Sequence, residues 1–504
     1  MLDQRFAAEG EPRGAGSAAS PVSSPFAVPL FELVVLSLGF GLCRAWVISS
    51  LGLAGAYPLF DGGLFQYDQL YLLAGAVATC VVALCAPRLF SSKVGLGRLN
   101  AVALALVAVS LLSMAAAQAS ASRALFVAGF CLAGAASALL QVMWGERFVR
   151  HSMRLALLAA PAAAIATSLI MMALPGSMTT GCFYIAPLLS LVLLCANRGE
   201  AGSLVLNLLP QPDDAAALEG VSEERGAPVP LGTLVRLMAS IAVFSLIGRC
   251  LDSFPIGSDE EVPAFIAQNY PFLAILVVGV LFIALVLALG KRFDTLFVYR
   301  LSLPLMVAGF VILTLFMDRF TVVSIIVVTV GYEFFDVLFW AVLVGVVRQG
   351  GHRPVPVFGW GVAATYVGMA FGIMASRAVV YGRVDITALA LVSILVLVVL
   401  VVLVLPEGTL SKVGSTGRLK KSHASEDALE RRCAVVARRC ELTPRERDVP
   451  KLLARGRTLG VVARELSIAE GTARTHMGHI YAKLGVHKQQ ELIDLVEAAD
   501  GDED

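Results

Sequence analysis

Uncharged apolar runs of roughly 17 to 25 residues recur between residues 26 and 405, separated by short polar segments, and about twelve of them can be traced. A run of that length crosses the hydrocarbon layer of a bilayer as an α-helix. The predicted spans are Pro29–Leu51, Leu70–Ala86, Leu99–Ala117, Ala124–Trp144, Leu155–Leu174, Cys182–Ala196, Leu231–Leu251, Phe272–Gly290, Tyr299–Met317, Thr321–Val347, Val357–Ser376 and Ile386–Leu405. The widest polar gap, Asn197–Pro230, divides them six and six. Past Leu405 the pattern changes: Ser411–His423 is basic and hydrophilic, and Leu429, Cys433, Val436 and Cys440 then recur at helical spacing as a narrow apolar stripe.

Composition agrees with that division. Of 504 residues, 58% are hydrophobic and 15% charged, and the mean hydropathy is +0.80; a soluble domain carries about 25% charged residues. The net charge of +1 points to no partner, but the distribution of charge is informative. Arg88, Lys93 and Arg98 follow the second span; Arg147, Arg150 and Arg154 the fourth; Lys291 and Arg292 the eighth; Arg348 and Arg353 the tenth. The intervening loops are poor in Lys and Arg, with exceptions at Arg123, Arg319, Arg377 and Arg383. Because cytoplasmic loops hold the excess of Lys and Arg, both termini are expected in the cytoplasm. The first 25 residues lack the short apolar core of a removable signal peptide and read as a disordered cytoplasmic terminus.

The expected organisation is 1–25 disordered, 26–196 the first membrane half, 197–230 a cytoplasmic central loop, 231–406 the second membrane half, 407–440 a basic linker and connecting helix, 441–498 a compact domain, and 499–504 an acidic tail. The compact domain starts at Thr443-Pro444 with Glu446, a capping box with proline at the first helical position. Gly456 ends that helix, a second runs near Leu459–Leu466, and a third from about Glu470 to Leu484 stops at Gly485. On the third helix Ala473, Met477, Ile480 and Leu484 form an inward stripe. The opposite face carries Gly471, Arg474, Thr475, Gly478 and Ala482: small residues that admit close approach to a groove, beside an Arg able to bond base edges or phosphates. Lys483 and Lys488 suit phosphate contacts. From spacing alone a solvated face is the preferred reading of these cations.

The order of residues is more specific. Leu442-Thr443-Pro444-Arg445-Glu446-Arg447, Leu452-Leu453-Ala454, Gly456, Ala463, Leu466, Thr472, His476, Ile480-Tyr481, Lys483-Leu484-Gly485-Val486 and Glu491-Leu492 make the segment resemble the DNA-binding domain of LuxR/NarL-type bacterial regulators. The resemblance implies a four-helix domain whose third helix enters the major groove of double-stranded promoter DNA, with Thr472, Arg474, Thr475, Gly478, Lys483 and Lys488 facing it. It also implies that the fourth helix, about Lys488–Ala498, joins two copies through Leu492 and Val496 in a homodimer. The segment departs from the family pattern at Pro450, inside the first helix, where a proline costs about 3 kcal/mol. It departs again at Ala469 in place of a capping Ser, a loss of about 1 kcal/mol, and at Ala473 and Gly478, so weakened binding is expected. Twelve spans split six and six, with basic Pro87-Arg88 and Gly95-Leu96-Gly97-Arg98 after the second, resemble the major facilitator superfamily of transporters in topology. The fold class expected is therefore all-α: a polytopic membrane helix bundle followed by a small cytoplasmic LuxR-type helix-turn-helix domain.

Ionisable residues inside spans are expensive and mark functional sites. Glu333 and Asp336 share a face of the tenth span with Trp340, Tyr332 sits four residues before Asp336, and Arg44 lies in the first span. Two carboxylates, aromatic rings and an Arg make a candidate sensing site for a small polar aromatic or charged molecule, or else an ion pair that locks the two halves. Walker loops, HExxH and paired nucleophile–base motifs are absent from the sequence, so no enzyme is expected. No cofactor or metal is expected either: seven of the nine cysteines lie in or beside apolar stretches, and neither they nor the histidines stand at ligand spacing. The function expected is a one-component transcription regulator in the bacterial cell membrane, with the bilayer, a small-molecule ligand and promoter DNA as partners. The alternative is an active transporter with a regulatory or protein-binding tail.

Overall fold

The computed structural model describes residues 30–56, 63–89, 93–173, 179–198, 204–206, 229–253, 264–289, 295–350, 352–400, 432–433, 436, 470–486, 488, 491–492 and 495. The chain divides into two compact units, Met1–Gly290 with Phe297–Leu405, and Pro406–Asp504 with Lys291–Leu296.

Every expected span falls on a helix of the first unit. These are α1 (Leu30–Ala56), α2 (Tyr67–Leu89), α3 (Lys93–Ser120), α4 (Arg123–Val149), α5 (Met153–Ala173), α6 (Thr179–Cys195), α7 (Leu231–Arg249), α8 (Ala264–Leu289), α9 (Thr295–Leu315), α10 (Met317–Gly350), α11 (Pro354–Val380) and α12 (Ile386–Val399). Among the described residues nine helices are long and apolar enough to cross a membrane, and three shorter apolar helices, Thr180–Cys195, Leu301–Leu315 and Ile386–Val399, accompany them. Their outward surface is apolar, with Val77, Val81 and Leu84 of α2 and Leu391 and Leu395 of α12 exposed, as a helix facing hydrocarbon requires. Pro161, Pro187, Pro271 and Pro304 stand inside helices, which neighbouring helices in a bundle tolerate.

Within the first half α4 packs against α2 and α3, and α1 against α5 and α6. The halves meet where α2 packs on α11 and α5 on α8. Small residues let backbones close on one another, since lipid offers no hydrophobic drive between helices. At Gly134 of α4 an added Cβ would overlap the main-chain oxygen of Tyr71 on α2. At Gly368 of α11 it would overlap the main-chain oxygen of Ala242 on α7.

One element departs from the purely helical expectation. Ala196–Arg198 (β1) and Leu204–Leu206 (β2) pair antiparallel, with Ala196 opposite Leu206 and Arg198 opposite Leu204. Leu204-Val205-Leu206 is an apolar triplet inside the polar gap, too short to register as an element beside runs five times its length. Residues 199–203 and 207–228 of that gap, the first 25 residues, the basic linker and the first two helices of the C-terminal domain lie outside the described residues.

In the second unit α13 (Glu470–Leu484) ends where the sequence places its stop. Gly485 takes φ +68, a left-handed conformation costly for other residues, and the Val486 amide donates to the Tyr481 carbonyl, closing the last turn. Ile480, Leu484, Val486 and Leu492 are buried, as are Cys433 and Val436 of the expected connecting stripe.

Candidate sensing cluster and nucleic-acid interface

The first span holds its charge on α1, four turns from the helix start, and the tenth span holds its two on α10; the fold brings them together. Arg44 Nη2 donates to Glu333 Oε2 at 3.2 Å and Nη1 donates to Asp336 Oδ2. Glu333 is 2% exposed and Asp336 8%, so the pair is desolvated, and removing one member leaves an uncompensated charge. Tyr332 and Trp340 are buried on the same helix. Trp340 packs edge-on against Phe40 at 4.4 Å between ring centroids and stacks on Phe358 at 5.4 Å. Of the five residues singled out in the membrane sequence, the fold thus joins Arg44, Glu333 and Asp336 directly, with Tyr332 next to Glu333 in the chain and Trp340 one turn beyond Asp336 among aromatic rings. Arg249, not singled out, adjoins them: its guanidinium lies 5.1 Å from the Tyr332 ring centroid, a cation–π contact, and pairs with Asp252 at 3.2 Å. Its signal in the sequence is faint, because an Arg in the last turn of an apolar run looks like a boundary residue.

A neutral polar layer lies between α2, α4 and α11. Tyr71 donates its hydroxyl to Ser137 Oγ at 2.6 Å, Ser137 Oγ and the Tyr366 hydroxyl are 3.1 Å apart, and Gln141 Nε2 donates to Tyr366 at 2.9 Å.

Charged contacts also join the halves at both ends of the bundle. Where α2 starts and α11 finishes, Arg377 bonds Asp68, with Nη1 to Oδ1 at 2.9 Å, and Gln69 Oε1 at 2.8 Å. Arg377 breaks the expected alternation of basic loops because it is a paired residue in a helix, not a loop charge. At the opposite end Arg348 of α10 donates to the main-chain oxygens of Val149, at 3.0 Å, and His151. Burial, then Arg147, Arg150 and Arg348, push the His151 imidazole down to about 4. It is therefore neutral near pH 7, and its 3.5 Å approach to Glu32 is not an ion pair there.

On α13 every residue expected at the DNA surface is exposed: Thr472, Arg474, Thr475, Gly478 and Lys483, followed by Lys488 beyond the helix. His479, not singled out for that face, is exposed between Thr475 and Lys483, one turn from each. The Thr475 hydroxyl donates to the Gly471 carbonyl at 3.0 Å, so in the free chain it offers a partner only its lone pairs. Leu492 is one of the two residues expected at the dimer contact. It is fully buried within the unit, where it fills the core beside a turn closed by the Leu492 amide and the Lys488 carbonyl. Leu495 on the same segment is 37% exposed. Val496 lies outside the described residues. Among the described residues no group of three or more His, Cys, Asp or Glu side chains gathers as a metal site.

The fold defines a multi-pass membrane protein that carries a separate C-terminal unit on the same chain. Residues 441–496 match the family described as bacterial regulatory proteins, luxR family, so the C-terminal segment is a LuxR-type domain, a type that binds DNA. Over 53 residues the segment is 42% identical to a putative HTH-type transcriptional regulator of Mycobacterium tuberculosis, covering 10% of this chain and 6% of that protein. Over 51 residues it is 41% identical to the nitrate/nitrite response regulator protein NarL of Escherichia coli, covering 10% and 24%. The chain thus spans only about 6% of the length of the mycobacterial relatives it matches. The membrane unit has the fold of major facilitator transporters. It superposes on the human organic anion transporter MFSD10 with a TM-score of 0.52 at 15% identity, covering 75% of this chain and all of that one. On the proton:xylose symporter XylE the TM-score is 0.50 at 12% identity, with 76% and 98% covered.

Proposed function

We propose that this chain is a one-component transcription regulator embedded in the bacterial cell membrane, with both termini in the cytoplasm. Its transporter-like unit senses a small molecule at Arg44, Tyr332, Glu333, Asp336 and Trp340, and its LuxR-type domain binds promoter DNA as a homodimer. The observation that carries the reading is the face of α13 on which Arg474 and Lys483 are exposed, on the chain that also carries the bundle. The likeness to transporters rests on fold alone at 15% and 12% identity, which supplies an architecture and no substrate.

The test is genome-wide mapping of DNA cross-linked to the full-length protein in its own membrane. Discrete enriched sites are expected. Arg474→Ala removes a charged donor worth about 1–3 kcal/mol and should lower occupancy roughly 5- to 150-fold. Lys483→Ala should weaken all sites alike and reduce the salt dependence by about one phosphate contact. A map indistinguishable from that of a chain lacking Leu442–Asp504 would sink the regulator reading, and substrate uptake by that truncated chain would favour the transporter.

Glu333→Gln and Asp336→Asn keep the shape of the cluster and remove a charge, so each should shift the dose response of a reporter across a ligand library at unchanged protein level. Identical dose responses in both would leave the cluster a structural lock.

A further inference from the structure

Contacts tie the two halves at three depths, and the hydrogen bonds at the two ends include different acceptors. Arg377 is held by a side-chain carboxylate, Asp68. That carboxylate is 3% exposed, and just beside it the buried Gln69 Nε2 has no hydrogen-bond partner; Arg249 Nε, in the neighbouring α7 pair, is likewise buried without one. An acceptor that carries its charge on a rotatable side chain can be exchanged for another, and two idle donors await one. Arg348 is held by main-chain oxygens where α4 ends. Those carbonyls have no proton to gain, and that of Val149, the last residue of α4, lies at the negative end of the helix dipole.

The layers behind the two ends differ as well. Phe40 stands four residues before Arg44 on α1, and Trp340 four residues after Asp336 on the oppositely directed α10. Each therefore lies about 6 Å from the central pair toward the Arg348 end. With Phe148 and Phe358 they form a contiguous aromatic plug, 5.5 Å from Phe148 to Phe40 and 4.4 Å from Phe40 to Trp340 between centroids. The plug has no slack, because a Cβ at Gly145 would overlap the Phe358 ring. Opening that end separates packed apolar rings, each with 150–250 Å² of surface to re-expose. Opening the other breaks an ion pair, rearranges hydroxyl groups and parts one ring pair, Tyr71 and Tyr366, stacked at 6.2 Å between centroids.

We infer that the central cluster is reached from the Asp68–Arg377 end alone, while the Arg348 end stays shut, so that the unit registers a molecule arriving from outside the cell without passing it on. This rests on the regulator reading for which face is outside. The bundle is then a transporter architecture held to half of a transport cycle.

The experiment places a cysteine seven residues to either side of Arg44, on its face of α1: Leu51→Cys toward the Asp68 end and Ser37→Cys toward the Arg348 end. The probe is a membrane-impermeant trimethylammonium methanethiosulfonate, applied to intact cells or to inside-out vesicles, with the unsubstituted chain as background. In intact cells Leu51→Cys should be modified, several-fold faster when combined with Asp68→Asn or Arg377→Gln. In inside-out vesicles Ser37→Cys should stay at background, and adding Phe148→Ala should expose it. Modification of Ser37→Cys with Phe148 intact overturns the inference. So does inertness of Leu51→Cys in intact cells with either latch variant. The assay reads closure and not DNA binding, so loss of the regulator reading leaves its outcome standing. Leu51→Cys reacting only in inside-out vesicles would instead reverse the orientation and sink both.

Discussion

Arg44→Met should leave little folded membrane unit after extraction into detergent, judged by a monodisperse elution peak and a cooperative melting transition. The substitution keeps the length and apolar stem of the side chain and removes the cation. It thereby leaves Glu333, 2% exposed, and Asp336, 8% exposed, facing each other with no counter-charge from α1. Breaking a buried pair from one side costs about 3–5 kcal/mol, a large part of the stability of an ordinary domain. Restoring neutrality should undo the damage. The triple variant Arg44→Met with Glu333→Gln and Asp336→Asn is expected to melt near the parent temperature, since neutral replacement of a buried pair is often close to free of cost. A single variant that melts like the parent would show that water reaches the pair.

Gly134→Ala should be the most damaging single methyl group in the bundle. Its carbon would overlap the main-chain oxygen of Tyr71, which belongs to a helix backbone and cannot rotate aside. α2 and α4 must then part, and the 2.6 Å bond from Tyr71 to Ser137 is lost with the contact. Overpacking of this kind costs about 1–3 kcal/mol and more where backbone is the obstacle. Gly52→Ala on α1 is the matched control: its added carbon meets nothing within 4 Å, and relief of helical glycine should stabilise by about 0.5–1 kcal/mol. The melting midpoints should therefore move in opposite directions. Equal shifts in both would mean that α2 and α4 are not in contact.

The twelve helices were legible because hydrocarbon imposes a length and forbids charge, two signals that survive in a single sequence. The same rule made Arg44, Glu333 and Asp336 conspicuous, and the fold joins them. It failed at the ends of helices, where a charge is ordinary: Arg249, Asp68 and Arg377 looked like boundary residues, and only their partners in the fold distinguish them. In the C-terminal domain spacing separated the exposed face of α13 from its core. It could not tell whether Leu492 serves the domain or a second copy, because both uses ask for an apolar residue at helical spacing. The β1–β2 pair was invisible for want of length.

Asp68 and Arg377 are separated by 309 residues, and Arg44 and Glu333 by 289. At a synthesis rate of about 5–20 residues per second, the ribosome delivers the second member of each pair roughly 15–60 s after the first. Throughout that interval the newborn first half holds Arg44 and Asp68 in the membrane without their counter-charges, each carrying an insertion penalty of about 2.5–3.5 kcal/mol if it sits near the bilayer centre. The first six helices are therefore a burdened intermediate, ready for capture by quality-control proteases and relieved only when α10 and α11 emerge. Slow codons placed between the halves would lengthen that exposure and lower the yield of a chain whose finished form they leave unchanged.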